Sequence, residues 1–331
     1  MKKILLDTDI GSDIDDAVCL AYLLREPECE LLGITTVSGQ ARERAMLCDA
    51  LCRAAGKSVP IYPGTERPLI VENRQPKAPQ AEKLSRYPHA DGFPAGGAVP
   101  FLRDMIRANP HEVTLLAIGP MTNIGLLFAT YPETVTLLGG LVLMCGDFLR
   151  GGDAMEWNAI CDPHACKIVY DAHVAAGGVT GDMALAAGAA DDAAGDKGAS
   201  ASGFSAARHR SIGLNVTTRV TMSSAEVSAR FTHPVLKVVA DFSEVWFRER
   251  ERLTFHDPLA AVSIFYDDVC TFRRGGVGVE LADQARLGRT VFTEEAAANT
   301  GGADRAVSPA VCEVASDVNP ARFFDRFFSV F

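Results

Sequence analysis

The chain lacks any apolar run that approaches the roughly 20 residues a helix needs to cross a bilayer. Only three residues precede the first apolar segment, at positions 4–6, so we do not expect a signal peptide. Basic residues are also scarce, since 32 Lys and Arg stand against 42 Asp and Glu, for a formal net charge of −10. This acidic balance disfavours a nucleic-acid or anionic-membrane partner. We therefore expect a cytoplasmic protein whose partner is a small metabolite.

The cysteine pattern indicates neither a disulfide framework nor a zinc site. The nine cysteines are odd in number and form no Cys-x-x-Cys pair. Several, including Cys19 and Cys145, lie inside apolar segments, which is typical of reduced thiols in a core. With 331 residues, of which 48% are hydrophobic, the chain can bury a substantial core.

Short apolar runs alternate with helix-like segments along the chain. The predicted strands are residues 4–6, 31–37, 59–62, 113–118, 141–144 and 212–216. This alternation predicts an α/β fold, an open and mainly parallel Rossmann-like sheet with helices on both faces, in a single domain over residues 1–331. Residues 175–207 interrupt the pattern with Ala, Gly, Asp and Ser, and we expect a mobile insertion there.

Residues 7–17, DTDIGSDIDDA, hold the most informative motif, with five carboxylates in ten positions. The motif follows a short buried strand and precedes a helix-like stretch at 17–24, so it belongs at the carboxyl edge of the sheet, where ligands bind in such folds. One helix dipole cannot neutralise five acids, and like charges this close must stay solvated, take up protons or share a cation. Oxygen ligands with no Cys or His nearby suit calcium or magnesium.

Other interpretations of the acidic motif are an exposed turn that caps the helix and a haloacid-dehalogenase-like phosphatase. In the phosphatase hypothesis, Asp7 and Asp9 would serve as nucleophile and acid. An EF-hand is excluded, because counting from Asp7 places Gly11 fifth and Val18 twelfth, where the EF-hand loop needs Gly sixth and Glu twelfth.

Three further segments carry candidate site residues. A backbone oxygen near Ile118, after a predicted central strand, could complete a calcium shell, or the segment could be an ordinary turn. Glu156 and Asn158 flank Trp157 and suggest a loop that holds a hydroxylated ligand, although surface polarity around one anchored Trp would look the same. His256-Asp257-Pro258 reads as a helix start where Asp could ligate and His could transfer protons, although a lone His is more often structural.

Together these segments resemble the calcium-dependent nucleoside hydrolases, which cleave the N-glycosidic bond of ribonucleosides. In chain order, the matching segments are the acidic motif, ITTVSG at 34–39, IGPMTN at 118–123, Leu143-Met144 with Gly146, Glu156-Trp157-Asn158 with Asp162-Pro163, and His256-Asp257-Pro258. The joint match spans nearly the whole chain and disfavours the phosphatase, which offers no role for the last two segments.

The resemblance implies a metal centre that binds Ca²⁺ and activates water. Asp9 would be the metal-bound general base, and Asp15 would bind a ribose hydroxyl. Asp16 would be a bidentate calcium ligand, and Asp257 with the carbonyl of Ile118 would complete the protein's share of the shell.

It also implies a substrate site for a ribonucleoside. Glu156 and Asn158 would hold ribose hydroxyls, with Met144 among the substrate-binding residues, and His256 would protonate the departing base. Trp157, Trp246 and Phe247 are candidate walls for the base, with core packing as the alternative. His89 resembles a loop histidine that family members place near the site. The family is commonly dimeric or tetrameric, so a homodimer or homotetramer is expected.

Three features depart from the family pattern. The acidic motif has Ile10 where the family has Pro, and it has two additional residues before Asp15, as in a subgroup of the superfamily. Gln40 stands where the family usually has Asn, and the insertion at 175–207 occupies a connection that is usually short. We expect a ribonucleoside N-glycosidase, with a ribonucleoside-binding protein that has lost turnover as the rival hypothesis.

Overall fold

The computed structural model describes residues 1–94, 96–150, 155–178, 208–295 and 312–331. Its strands are β1 Lys2–Thr8, β2 Cys29–Thr36, β3 Ile61–Pro63, β4 Val113–Ala117, β5 Gly140–Met144, β6 Arg208–Ile212, β7 Thr221–Ser223, β8 Arg252–Thr254, β9 Cys270–Val279, β10 Thr290–Glu294 and β11 Cys312–Val318. Its α-helices are α1 Asp15–Arg25, α2 Ala41–Ala54, α3 Ala98–Ala108, α4 Thr122–Thr130, α5 Glu133–Leu137, α6 Trp157–Cys161, α7 Pro163–Gly178, α8 Leu214–Thr217, α9 Ser224–Arg230, α10 Pro234–Trp246, α11 His256–Phe265 and α12 Pro320–Phe328. Two short 3₁₀ helices, Pro79–Arg86 and Gln284–Arg286, complete the described elements.

The described strands form one sheet of nine, in the order β10-β9-β11-β6-β5-β4-β1-β2-β3, and a separate antiparallel pair, β7-β8. Seven neighbouring strands of this sheet, β11, β6, β5, β4, β1, β2 and β3, are parallel to one another. Strand β9 pairs antiparallel with β11, and β10 pairs antiparallel with β9, so these two strands form an antiparallel edge. The expected open and mainly parallel sheet is therefore confirmed. The sequence did not indicate the antiparallel edge.

Helices cover both faces of the sheet, as expected. Along β1, Ile4 and Leu6 pack into one core cluster and Leu5 into the other, because successive side chains of a strand point to opposite faces. The first cluster also contains side chains of α1, α2, α10, α11 and α12, and the second contains side chains of α3, α4 and α7. Residues 15–24 of α1 are buried on every side, which explains why this helix is apolar nearly all round.

The chain order creates a switch point beside β1. From β1 the chain builds β2 and β3 on one side, and it then crosses to β4 on the other. Ligands of open parallel sheets bind in the crevice outside the carboxyl ends of the strands at such a point. The acidic motif leaves β1 at this end, and the Ile118 segment leaves β4 beside it.

The predicted strand at 212–216 was wrong. Strand β6 ends at Ile212, and the next residues form the short helix α8. The Leu214 N–H donates to the Gly146 carbonyl at 2.8 Å, so the chain turns where β5 and β6 end. A short apolar run fits either structure, and this contact with a distant residue decides it.

The expected insertion at 175–207 falls mostly outside the described residues. Helix α7 continues to Gly178, and residues 179–207 are not described. In the part of the chain that the structure covers, no helix is both long and apolar enough to span a membrane.

Candidate active site

A pocket of about 860 Å³ opens at the carboxyl ends of β1, β4 and β5. The predicted site residues that line it are Asp9, Asp15, Asp16, Ile118, Met144, Glu156, Trp157, Asn158, Trp246, His256 and Asp257. The fold thus brings together residues from six separate segments of the chain. Such a volume is in the range that small-molecule sites occupy.

Three buried carboxylates form a tight cluster at the floor of the pocket. Asp15 and Asp16 lie in the first turn of α1, and Asp257 lies in the first turn of α11. Oxygen atoms of the three side chains lie within 4.8 Å of one another, and each residue is only 3% exposed. Burial, reinforced by the neighbouring acids, raises the pKa of all three carboxyls well above the ordinary value.

Local hydrogen bonds hold this cluster in place. The Thr8 hydroxyl donates to Asp16 Oδ1 at 2.5 Å, and the Asp257 backbone N–H donates to Asp15 Oδ2 at 3.2 Å. The other carboxylate oxygens are available to a shared cation. Three carboxylates this close repel one another unless a proton or a cation lies between them. The donor set therefore fits a hard divalent metal ion. Asp15, which the resemblance assigned to ribose, belongs to this cluster.

Asp9 lies beside the cluster at the end of β1 and is 6% exposed. Its Oδ2 accepts a hydrogen bond from Gln75 Nε2. Burial raises the pKa of Asp9, while the charge of Arg44 and the Gln75 hydrogen bond oppose the shift. Gly119 makes room for this carboxylate, since an added Cβ would lie 2.9 Å from Asp9 Oδ1.

Arg44 is completely buried and donates hydrogen bonds to the backbone of the acidic motif. It donates to the backbone carbonyls of Gly39, Ile10 and Lys77 at 2.9 Å each, and also to the carbonyl of Asp9. The sequence offered a signal that was not used, because Arg44 occupies a position on the apolar face of α2, where a charge needs many partners.

Asn158 ties the ends of two strands together. Its Nδ2 donates to the Ile118 carbonyl at 2.7 Å and to the Met144 carbonyl at 3.0 Å. Both hydrogens of the amide are used within the protein, so a ligand meets the amide oxygen. The Ile118 carbonyl has one lone pair left for a metal.

Glu156 is both a pocket residue and a helix cap. Its Oε1 accepts from the Asn158 N–H at 2.7 Å, and its Oε2 accepts from the N–H groups of Ala159 and Gly146 at 2.9 and 3.1 Å. Burial raises the pKa of Glu156 to about 7, and these three hydrogen bonds oppose the shift. The cap fixes α6, and with it Trp157 and Asn158.

His256 lines the pocket at the start of α11. Its Nδ1 lies 2.7 Å from Thr217 Oγ1. Burial, with a contribution from the charge of Arg150, lowers the pKa of His256 to about 4. The imidazole is therefore neutral at pH 7, and when Nδ1 accepts from the hydroxyl, Nε2 carries the proton.

Three predicted residues lie away from the pocket. Gln40 has a left-handed backbone (φ 61°), and its Oε1 accepts from the Ala78 N–H at 2.7 Å. His89 Nδ1 lies 2.7 Å from the Tyr87 carbonyl, and Phe247, at the end of α10, packs against the core. Each of the three side chains makes a contact outside the pocket, and none of them lines it.

The carboxamide beside Asp9 comes from Gln75, which the sequence did not single out. Gln75 lies in an irregular segment, ENRQPKAP at 72–79, with no periodic pattern to mark it. Only the fold shows that this segment covers the acidic motif.

A parallel sheet with buried acids at its switch point defines an α/β enzyme whose site suits a polar ligand and a metal ion. Within that class, the family model of the inosine-uridine preferring nucleoside hydrolases matches residues 4–325. The chain therefore belongs to this family. The expected family and the expected type of enzyme, an N-glycosidase that hydrolyses ribonucleosides, are confirmed, and the phosphatase hypothesis finds no support.

The chain is similar to several named proteins. It is 26% identical to uridine nucleosidase 1 of Arabidopsis thaliana over 84% of this chain and 78% of that protein. It is 35% identical to the non-specific ribonucleoside hydrolase RihC of Salmonella paratyphi B, where the alignment covers 50% of this chain and only 56% of that protein. The structure of a purine-preferring ribonucleoside hydrolase from Gardnerella vaginalis has the same fold, with a TM-score of 0.73 and 22% identity over 99% of this chain and 98% of that one.

Proposed function

We propose that the protein hydrolyses the N-glycosidic bond of a ribonucleoside to free base and ribose, with Ca²⁺ as its metal ion and Asp9 as general base. The observation that carries this proposal is the buried cluster of Asp15, Asp16 and Asp257 directly beside Asp9 on one pocket. Asp16, Asp257 and the Ile118 carbonyl would hold the ion, and the cluster geometry adds Asp15 to that set. When bound, the ion supplies a Lewis acid that positions water and makes it more acidic.

Asp9 would take the proton from the attacking water. The oxygen of the water forms a bond to the anomeric carbon of ribose as the carbon–nitrogen bond to the base breaks, and the bonding pair leaves with the base. A positioned carboxylate can take a proton from water as it attacks an anomeric carbon, and a bound metal ion would make that water more acidic. The Gln75 hydrogen bond occupies Oδ2, so Oδ1 would be the oxygen that receives the proton.

Charge development explains the acidic lining of the pocket. The transition state of glycosidic cleavage is oxocarbenium-like, with positive charge on the sugar ring. Glu156 lines the pocket and is held by three backbone N–H groups, so its ionised form would present a negative charge to the ribose in a fixed position. The Asn158 amide oxygen would accept a hydrogen bond from a ribose hydroxyl. Met144, beside it, would contact the sugar.

The departing base needs a proton and a wall. His256 would donate through Nε2, with Thr217 holding the other ring nitrogen. Trp157 and Trp246 both line the pocket and would contact the base. The relatives include a uridine nucleosidase and a purine-preferring hydrolase, so both base classes belong in an assay panel.

The rival hypothesis is a ribonucleoside-binding protein without turnover. Binding requires only the metal cluster, Glu156 and Asn158, whereas hydrolysis also requires Asp9 to reach water. The Asp9 carboxylate lines the pocket next to the acidic cluster, which favours the hydrolase.

The test is chromatography of a panel of purine and pyrimidine ribonucleosides after incubation with the protein, with Ca²⁺ or with a chelator. We expect chelator-sensitive release of base and ribose from at least one nucleoside. Asp9→Asn, which keeps the shape of the side chain, should lower kcat by about 10²–10⁴-fold, the usual contribution of a general base. An Asp9→Asn protein with wild-type activity would remove the proposed base.

A wild-type protein that binds nucleoside without releasing base would favour the binding protein. The cytoplasmic location and the homodimer or homotetramer stay predictions, and size-exclusion chromatography with light scattering would test the second.

A further inference from the structure

We propose that Gln75 and Trp157 form a hydrogen-bonded relay that positions Asp9 for catalysis. The relay runs from Trp157 Nε1–H to Gln75 Oε1, at 2.5 Å, and from Gln75 Nε2–H to Asp9 Oδ2. Among the three residues of the relay, the family resemblance assigns proton transfer only to Asp9. The inference rests on the proposed function and assigns Gln75 as a positioning residue.

The backbone holds Gln75 in place from two directions. Its N–H donates to Asn73 Oδ1 at 2.8 Å, and its carbonyl accepts from the Gly39 N–H at 3.2 Å. Gly39 lies so close to this segment that an added Cβ would approach the Pro76 carbonyl oxygen to 2.4 Å. Gln75 itself is 8% exposed. A buried amide on a pinned backbone has little freedom apart from rotation of its terminal group.

Trp157 removes that remaining freedom. An amide group can flip and exchange its oxygen and nitrogen, but an indole N–H is only a donor. Trp157 Nε1 therefore requires the amide oxygen of Gln75 on its side, and the NH₂ group must face Asp9. Without the indole N–H, the flipped amide would bring its oxygen against the Asp9 carboxylate.

The relay determines which oxygen of Asp9 acts. The NH₂ group of Gln75 holds Oδ2 as an acceptor, so a proton taken from water goes to Oδ1. Oδ1 lies beside the bare Cα of Gly119. A hydrogen bond to one oxygen restricts rotation of the carboxylate about its Cβ–Cγ bond, so the other oxygen favours one direction toward the reacting water.

The relay also separates two roles for Trp157. Its side chain is 48% exposed and its ring lines the pocket, so it could act on the base by stacking alone. Phenylalanine preserves an aromatic face but has no N–H. Trp157→Phe therefore removes the relay contact and keeps most of the stacking surface.

The experiment is a double-mutant cycle on the full chain with Ca²⁺, using whichever nucleoside the wild-type protein cleaves best. Gln75→Met removes both polar atoms at similar length, and Gln284→Met makes the same change on an exposed 3₁₀ helix as a control. We measure kcat, KM and the melting temperature of Gln75→Met, Trp157→Phe and the double variant.

We expect Gln75→Met to lower kcat by about 10- to 100-fold, the loss of one hydrogen bond to a charged group, with KM changed less than about 3-fold. Trp157→Phe should lower kcat by about 3- to 10-fold in the wild-type background, less than Gln75→Met, because the amide of Gln75 is then misoriented for only part of the time. The same change should have no further effect on kcat when Gln75 is already Met.

Each alternative result overturns the inference in a recognisable way. A Gln75→Met protein with kcat within about 2-fold of wild type shows that Gln75 does not position Asp9, and the proposed hydrolase then stands without it. Multiplicative losses in the double variant show that Trp157 acts independently. A wild-type protein that releases no base from any nucleoside removes the proposed function and the relay together.

Discussion

Without its metal ion, the folded protein should become less stable as the pH rises. Burial raises the pKa of Asp15, Asp16 and Asp257 well above the ordinary value, and it raises the pKa of Asp13 to about 7. Each carboxyl therefore binds a proton in the folded chain at a pH where the unfolded chain, with a pKa of about 3.9, has released it. Their contribution to stability is complete below about pH 4 and is lost as the pH rises through the folded pKa.

A bound cation reverses this dependence, because it requires the deprotonated carboxylates. In the ion-free protein, each proton that the folded chain binds and the unfolded chain does not lowers the free energy of unfolding by about 1.4 kcal/mol per unit rise in pH. For a chain of 331 residues, whose entropy of unfolding is about 2.1 cal/mol/K per residue, that is a fall in Tm of about 2 °C per pH unit. The apparent Ca²⁺ affinity should rise about tenfold per pH unit for each proton that the ion displaces.

Thermal melts between pH 5.5 and 7.5, with chelator and with saturating Ca²⁺, measure both dependences. Calorimetric titration of Ca²⁺ in two buffers of different ionisation enthalpy counts the protons released. Asp257→Asn removes one acid at constant volume and should flatten the Tm dependence of the ion-free protein, whereas Asp325→Asn, an exposed change on α12, should not. A chelated protein whose Tm rises with pH, or a Ca²⁺ affinity that ignores pH, would refute the argument.

Two further predictions concern single positions. Gly119→Ala places a Cβ 2.7 Å from Val37 Cγ1 and 2.9 Å from Asp9 Oδ1, so it should destabilise the protein by about 1–3 kcal/mol and lower kcat by about 100-fold, whereas Gly92→Ala meets nothing within 4 Å. Unfolding and rate measurements on this pair test it, and a Gly119→Ala protein that behaves like Gly92→Ala would contradict it. His256→Ala should lower kcat by about 10²–10⁴-fold on a nucleoside with a poor leaving base and by much less on an activated aryl riboside. Equal losses on the two substrates would argue against an acid role for His256.

The parts of the fold that follow a local pattern were predictable from the sequence. Strands such as β4 and β5 are short apolar runs between turn residues, and the predicted bounds differ from the observed ones by one residue. The antiparallel edge was not predictable, because β9 is rich in Gly and Arg and gains its place by pairing with β11 and β10. Helix α8 depends on a backbone contact with a residue far away in the sequence.

The candidate site divides in the same way. Acids at strand ends and helix starts, such as Asp9 and Asp257, could be placed from the sequence, because a parallel sheet gathers these ends at one edge. Gln75 could not, since its segment has no regular pattern. Gln40 shows the opposite case, where the sequence position resembles a site residue but the left-handed backbone points the side chain elsewhere.

The buried Arg44 has a consequence for protein design. Because it ties the backbone of the acidic motif to residues 39 and 77, the eleven residues 7–17 are not a portable cassette. A transplant of that peptide alone into another sheet would leave its carbonyls facing a cavity with no donor. A lysine in the same place offers a single nitrogen where this guanidinium serves several acceptors at once. Any working graft would therefore need three discontinuous pieces of chain in register: the acidic motif, the start of α2 with Arg44, and the segment around residue 77.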